Sequence, residues 1–387
     1  MCPQSEIDEN RRKFSELEQR PDLPIEETAI KDLDRDIGES EKVPPERVRP
    51  LPILLKTLVY MEDHIMDKGR PGHDPHPSWR PKVNELEIYL FMFNRLRMIS
   101  KELKMQGYNW NMNLSYEAIT ILERLVRYYI AYQHRLNHDE LFGKNHAKQN
   151  QEQLVGNLQW LKELYDYGYE IGQPGFCRNE PEFRAYRVLV LGMNDPERVA
   201  QNKYTHERVE DTPEVRFSFR VLAAVRSRNT WRFFRLLEQA PYLNACLMVQ
   251  FIPLMRQEAT KQYGVACSPV GKETVLPAVD FMNMLGMEQT EELESHVVRY
   301  NLRLRDCSSG EIIEEIGDPA LVEVVLNRRQ ITTYSLRDLM KSHVYVPMVE
   351  DKAQHLRIRQ FTRREEGVFL YQDRVVSRLA RQPSSLT

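Results

Sequence analysis

The feature that most constrains the fold is a helical repeat of apolar residues along the first half of the chain. Apolar residues recur there at intervals of three and four, which is the spacing of one buried helical face. The four longest such segments cover about 52–68, 83–105, 115–136 and 151–171. Shorter helices are predicted to begin near Asn179, Asp195 and Thr212, because these residue types cap helices. Since no fixed period separates the segments, we predict an irregular right-handed stack of antiparallel helix pairs, similar to but less regular than a tetratricopeptide array.

The pattern changes after Gly264. The β-branched stretch 265–270 predicts a short strand. Residues 275–285 and 290–299 predict two compact helices, and 302–316 alternate around DCSSG as a hairpin would. Strand, helix, helix and hairpin follow one another in the order of a winged helix.

These patterns predict a mainly α protein in four parts. With 41% hydrophobic and 29% charged residues, the chain has enough apolar surface for more than one core. The predicted parts are an extended N-terminal arm with short helices over 1–50, a helical-repeat region over 51–263, a winged-helix domain over 264–330, and a basic C-terminal extension with a further hairpin and helix over 331–387.

The most strongly charged segment lies within residues 215–255. No Asp or Glu occurs between Arg216 and Arg235, so six arginines give a local charge of +6 in a chain whose total is −3. These arginines are Arg216, Arg220, Arg226, Arg228, Arg232 and Arg235. One hypothesis is a surface that follows the phosphates of RNA or DNA. The alternative is that the aliphatic stems cover apolar neighbours while the guanidinium groups meet acids of adjacent helices.

Three aromatic residues, Trp231, Phe233 and Phe234, are interleaved with these arginines. Such interleaving occurs where nucleic-acid bases stack on aromatic rings. The three rings also share helical spacing with Leu236 and Leu237, which favours burial. We therefore predict that all three belong to the core.

A second basic segment lies near the C-terminus. Residues 352–381 contain eight Lys or Arg and three acids, a net charge of +5. The arginines that flank a hairpin predicted around Glu366 and Gly367 are Arg357, Arg359, Arg363 and Arg364. They are candidates for contact with a nucleic-acid backbone; the alternative is an edge strand protected by charge.

The cysteines and histidines do not indicate a metal or a cofactor. The five cysteines are widely spaced without a CxxC pair, which argues against a disulfide framework and a zinc site and favours a reducing compartment. His134 and His138 are four residues apart, and His73 and His76 flank Asp74, but neither pair belongs to an HExxH motif. We predict a non-enzymatic protein without a cofactor. A metal-dependent nucleic-acid enzyme that uses one of these pairs is the alternative from another class.

No membrane partner is predicted. The first thirteen residues lack the apolar core of a signal peptide. The longest mostly apolar run, 243–255, is interrupted by Asn244, Gln250 and Pro253. We expect a soluble protein of the nucleus or the cytoplasm.

Several ordered blocks resemble the SAC/GANP/THP family, the scaffold proteins of the second transcription-and-export (TREX) complex. The blocks are MCPQSEID at 1–8, RVRPLPILLKTLVYMEDHIMD at 47–67, FNRLRMISKEL at 93–103, ILERLVRYYIAYQHRL at 121–136, NLQWLKELYD at 157–166, EFRAYRVLVLGM at 182–193, and the arginine-rich segment 215–255. Together they extend over roughly residues 1 to 300. Several blocks in the right order are far more specific than one short motif.

This resemblance implies a non-catalytic scaffold in mRNA export, located in the nucleus and at the nuclear envelope or pore. Its implied partners are a second PCI-fold protein, a small acidic DSS/SEM-type subunit, and RNA bound on a composite basic surface. The chain shows neither a Phe-Gly repeat region nor the long C-terminal extension of the largest family members, so anchoring to nuclear pore components is not implied. A short paralogue in centrosome or spindle organisation, or in a splicing-linked complex, is the alternative.

Overall fold

The computed structural model describes most of the chain up to residue 335. The described residues are 14–33, 43–67, 83–108, 115–192, 211–269 and 272–335, together with Cys2, Ile7, Val209, Asp338, Leu339, Val346, Val349, Lys352 and Arg363. Spatial contacts divide the chain into two compact units. The first comprises residues 1–184 and 356–365, and the second comprises 185–355 and 366–387. The described part is mainly helical with one small antiparallel sheet.

The described helices of the first unit confirm the four long helices predicted from periodicity. They are α1 (Ile25–Thr28), α2 (Leu51–His64), α3 (Glu85–Met105), α4 (Tyr116–Arg135), α5 (Glu140–Asn145), α6 (Ala147–Glu170) and the start of α7 (Glu180–Leu191). Helix α3 begins at a capping box, in which Asn84 Oδ1 accepts from the Glu87 amide and the Glu87 carboxylate accepts from the Asn84 amide. Helix α4 packs against α2, α3 and α6. The handedness of the stacking stays a prediction.

Aromatic rings form the centre of this first core. Tyr89 lies 5.1 Å from Phe142 and 5.7 Å from Tyr132, measured between ring centroids, and all three side chains are buried. Asn150 is also fully buried, and its side chain accepts from the Tyr89 hydroxyl while donating to the Tyr129 carbonyl. Because a buried amide costs free energy unless it is hydrogen-bonded, these contacts fix the position of α6 against α3 and α4.

The second unit continues with helices and ends in the sheet. Its elements are the rest of α7, α8 (Pro213–Arg226), α9 (Thr230–Gln239), α10 (Tyr242–Met248), α11 (Ile252–Cys267), β1 (Thr274–Pro277), α12 (Ala278–Leu285), α13 (Thr290–Tyr300), β2 (Arg303–Asp306), β3 (Ile312–Ile313) and β4 (Val322–Leu326). The sheet is antiparallel in the order β1, β4, β2, β3. Val275 pairs with Val325, and Leu304 pairs with both Val324 and Ile313.

The strand predicted at 265–270 is wrong. Helix α11 continues through Gly264 to Cys267, and the strand lies at Thr274–Pro277, so the predicted helix over 275–285 begins only at Ala278. A Cβ at residue 264 would approach Ile331 Cδ1 to 2.4 Å. A side chain at this position would have to displace Ile331, and the glycine does not end the helix.

The second predicted helix and the predicted hairpin of this region are present in the structure. Helix α13 covers the predicted 290–299, and β2 and β3 form the predicted hairpin. Asp306 closes its turn, since one carboxylate oxygen accepts from the Ser308 hydroxyl and from the amides of Ser308 and Ser309. These bonds, the Ser308 hydroxyl first, lower the pKa of Asp306 to about 2. Strand β4 was not predicted, although it joins β1 to β2.

A second core lies between these helices and the sheet. Its most buried members include Phe281, Leu285, Leu293, Val324 and Leu326. None of the described helices is long and apolar enough to cross a lipid bilayer. The further helix near 336–342 and the hairpin around 366 lie largely or wholly outside the described residues.

Candidate nucleic-acid interface

The six arginines of the 215–255 segment lie on one helical hairpin of the second unit. Three belong to α8, Arg228 lies in the turn, and two belong to α9, and the two helices pack against each other. Arg216, Arg220, Arg226 and Arg232 are exposed, whereas Arg228 and Arg235 are half-buried. The opposite face of α8 buries Val215, Phe217, Val221, Leu222 and Val225. Amphipathicity thus directs the cations to solvent.

Few carboxylates of the described residues neutralise this surface. Arg216 pairs with Asp211 at 3.2 Å, but both side chains are strongly exposed and such pairs are weak. Within the described part of the chain, no carboxylate lies within 4 Å of the other five arginines. Arg226 Nη2 donates to the Gly192 carbonyl at 3.0 Å, which leaves its charge uncompensated. Among the described residues, the pairing with acids that the alternative predicts occurs only at Arg216.

The turn between α8 and α9 holds Arg228 in a left-handed conformation. Its φ of 55° is unusual for a residue with a side chain. The Arg228 amide donates to the Val225 carbonyl, and its own carbonyl accepts from Gln262 Nε2 at 3.0 Å. Asn229 then caps α9, because its side chain accepts from the Arg232 amide. The backbone of the turn is therefore fixed from both sides.

The prediction that all three aromatic residues are buried is wrong for Trp231. Phe233 and Phe234 lie in the core, at 0% and 5% exposure, whereas Trp231 is 67% exposed. Position 231 lies on the solvent side of α9, next to Arg232 and one turn before Arg235. The Arg235 guanidinium lies 5.2 Å from the centroid of the Trp231 ring, within the range of a cation–π contact.

Basic residues near the sheet are arranged differently. Arg256 is buried and pairs with Glu292 at 2.8 Å, and Arg303 pairs with Glu273. The exposed face of α13 presents Glu291, Ser295 and Val298, the last at 82% exposure. Helix α13 thus offers no cation there. Two exposed arginines that we did not single out, Arg328 and Arg329, follow β4, and their adjacency was the only signal in the sequence.

Of the four arginines singled out in the second basic segment, the structure describes Arg363, and Arg357, Arg359 and Arg364 lie outside the described residues. Arg363 belongs to the first unit, where Nε donates to Glu62 at 2.6 Å and Nη1 pairs with Asp63 at 3.0 Å. Glu62 is fully buried and also pairs with Arg124 at 3.0 Å. Although burial opposes it, hydrogen bonding to these two carboxylates raises the pKa of Arg363. This guanidinium is committed to an internal ion-pair cluster.

His134 and His138, whose spacing could suit a metal ion, are separated by the end of α4. Helix α4 ends at Arg135, so His134 is buried on the helix whereas His138 is exposed beyond its end. Asp139 caps α5 by accepting from the Phe142 amide. Among the described residues, no group of three or more His, Cys, Asp or Glu is placed to hold a metal ion. His73 and His76 lie outside the described residues.

Fold and surface together define a mainly helical protein with an exposed cationic hairpin. The SAC3/GANP family model matches residues 1–306, and the chain belongs to that family, as the sequence blocks predicted. SAC3 family protein B of Arabidopsis thaliana is 30% identical over 311 residues, which are 76% of this chain and 17% of that protein. SAC3 family protein 1 of Schizosaccharomyces pombe is 28% identical over 338 residues, which are 81% and 30% of the two chains.

This chain spans less than a third of the length of these two relatives. A third similar protein, SAC3 family protein A of Arabidopsis thaliana, is 32% identical over 146 residues. Neither the family nor these named relatives indicates an enzyme class.

Proposed function

We propose that this chain is a non-catalytic scaffold of mRNA export that binds RNA through the α8–α9 hairpin. The observation that carries the proposal is the exposed arginine surface, in which five of six arginines lack a carboxylate partner among the described residues. Such a surface favours a polyanion, and RNA backbones carry one charge per nucleotide. Membership of the SAC3/GANP family supports the export role and a nuclear location.

We further propose that α11 to β4 form a winged helix of the PCI type. Support comes from the element order, helix, strand, helix, helix and then three strands, and from a sheet in which the first strand pairs with the last. The face of α13, which would be the recognition helix, carries Glu291, Ser295 and Val298. This face carries one carboxylate and no cation, so this winged helix serves protein contact rather than base readout.

The proposed partners are a second PCI-fold protein and a small acidic DSS/SEM-type subunit. Strand β1 stands at one end of the sheet and, among the described residues, pairs only with β4. An edge strand has unpaired amide and carbonyl groups that a second sheet can use. Two proteins joined in this way would place two basic surfaces on one RNA, and their affinities would combine through effective concentration.

The RNA proposal is tested with the full chain and a fluorescent single-stranded oligouridylate. We expect the variant in which Arg216, Arg220, Arg232 and Arg235 are replaced by Glu to lose binding in fluorescence anisotropy. The matched control replaces Lys144 and Lys148 by Glu, since both are exposed on the first unit at 70% and 91%. Equal affinity of the four-arginine variant and the wild type at low salt would refute the proposal.

The scaffold proposal is tested by isolating the tagged chain from nuclei of its own cells and identifying its companions by mass spectrometry. We expect a protein with a helical and winged-helix PCI module, together with a small acidic subunit. Replacing Val275, in the middle of β1, by Pro removes an amide and should release the PCI protein. Recovery of unrelated companions only would contradict this assignment.

A further inference from the structure

We propose that Trp231 stacks on an unpaired RNA base, with Arg235 behind the indole and Arg232 beside it. This inference deepens the proposed RNA binding and rests on it. It identifies a contact that distinguishes single-stranded RNA from other polyanions, because a base has a π-face and a simple phosphate chain does not.

The first step is the placement of the indole. Trp231 is 67% exposed, whereas Phe233 and Phe234, two and three residues later, are buried. The neighbours Asn229 and Arg232 are exposed and polar. A lone exposed apolar residue is ordinary by itself. Trp231 differs from such residues in two ways. It is the largest exposed aromatic ring among the described residues, and it lies within the arginine surface of the α8–α9 hairpin.

The second step is the restraint on the ring. The Arg235 guanidinium lies 5.2 Å from the ring centroid, one helical turn further along α9. The contact limits the rotamers of the indole. It also places a planar cation next to the ring on which a base would stack. Ring and cation are carried on a helix whose start is capped by Asn229, so the site is preorganised.

The third step is the charge around the ring. Arg232 is exposed next to it, and Arg220 and Arg226 are exposed on α8. A base stacked on Trp231 would bring its flanking phosphates into this set of donors. An acidic peptide would use the arginines but gain little from the indole, so the combination favours a nucleic acid.

The test compares two polyanions on the full chain. Binding of oligouridylate and of inorganic polyphosphate is measured for the wild type, Trp231→Ala and Trp231→Phe. We expect Trp231→Ala to weaken oligouridylate binding about tenfold, within the range for one stacked base, and to leave polyphosphate binding unchanged. Trp231→Phe should restore most of the affinity for RNA, because an aromatic face is kept.

Tyr116→Ala is the matched control, since Tyr116 is a 56% exposed aromatic residue at the start of α4 in the first unit. Circular dichroism confirms that each variant is folded. Equal affinity of Trp231→Ala and the wild type for oligouridylate overturns the stacking site while RNA binding itself stands. Failure of the wild type to bind oligouridylate overturns both. A polyglutamate peptide that binds as tightly as RNA, and whose binding does not depend on Trp231, also overturns the stacking site and indicates an acidic protein ligand.

Discussion

Arg127 and Glu182 form a buried two-pronged ion pair in the first unit. Nε lies 2.7 Å from Oε1 and Nη2 lies 2.9 Å from Oε2, and both side chains are less than 5% exposed. The pair joins α4 to α7, two segments that belong to separate sequence blocks of the family. Glu123, which also lies 3.7 Å from Arg127, accepts from the Tyr165 hydroxyl and from Asn179. The two helices are thus connected by a buried polar network.

We expect Arg127→Met to destabilise the protein by about 3–5 kcal/mol, because the buried Glu182 would lose both hydrogen bonds from this guanidinium. Urea unfolding followed by circular dichroism measures the change. Lys144→Ala is the control, since it removes a pair with Glu140 that is exposed on both sides and should change stability by less than about 1 kcal/mol. A similar effect of the two substitutions would contradict the role assigned to the buried pair.

Gly286→Ala tests the junction of α12 with α9. Gly286 has a φ of 60°, and a Cβ would approach Phe234 Cδ1 to 2.6 Å. Gly310 has a φ of 73° but nothing within 4 Å of the added carbon. We expect Gly310→Ala to cost about 1–2 kcal/mol from backbone strain alone, and Gly286→Ala to cost more because the Phe234 ring must move. The difference between the thermal midpoints of the two variants measures the cost of displacing Phe234. Equal midpoints would show that the Phe234 ring moves aside without cost.

Because His296 is buried, we predict that the protein loses stability as the pH falls. Burial, then the nearby charges of Arg256 and Arg299, lower the pKa of His296 well below its ordinary value. Thr260 Oγ1 donates to the Arg256 carbonyl and lies 2.8 Å from His296 Nε2, so the neutral ring donates to that hydroxyl. Because the folded pKa is depressed, stability is fully present above the unfolded pKa of about 6.5 and decreases below it, by up to about 1.4 kcal/mol per pH unit.

The midpoints of urea unfolding at pH 7.5 and pH 5.5 test the predicted role of His296. The decrease between the two pH values should be smaller in His296→Gln than in the wild type, and unchanged in His138→Gln, whose parent side chain is exposed. An equal decrease in His296→Gln and the wild type would assign the pH dependence to other groups.

Arg363 and Arg232 are predicted to have opposite roles. Arg363→Ala removes charged hydrogen bonds to the buried Glu62 and should lower stability by about 1–3 kcal/mol without changing RNA affinity. Arg232→Ala should keep stability and reduce the slope of log affinity against log salt by about 0.7, the contribution of one phosphate contact in a single strand. Salt titrations and melting curves of both variants distinguish them. Loss of RNA binding in Arg363→Ala at unchanged stability would reverse the assignment.

The sequence by itself determined the helices, the hairpin turn and the family. The apolar spacing of α2, α3, α4 and α6 is a local property of each segment, and so is the turn chemistry of Asp306 and Ser308. Local patterns survive in any fold that buries one face. The ordered sequence blocks are also local, and they sufficed to predict the family.

Only the tertiary structure decided where β1 begins, that β4 exists, and which cations are free. A strand was predicted directly after Gly264, yet α11 continues through this glycine to Cys267 and packs there against Ile331, which is distant in sequence. Trp231 has the same helical spacing as its buried neighbours, but the packing of α9 leaves it outside. Arg363 and Arg232 have the same side chain. Arg363 pairs with Glu62, a carboxylate 301 positions away in the chain, whereas Arg232 lies on the exposed surface. Burial and ion pairing depend on contacts between distant segments, and local periodicity does not encode those contacts.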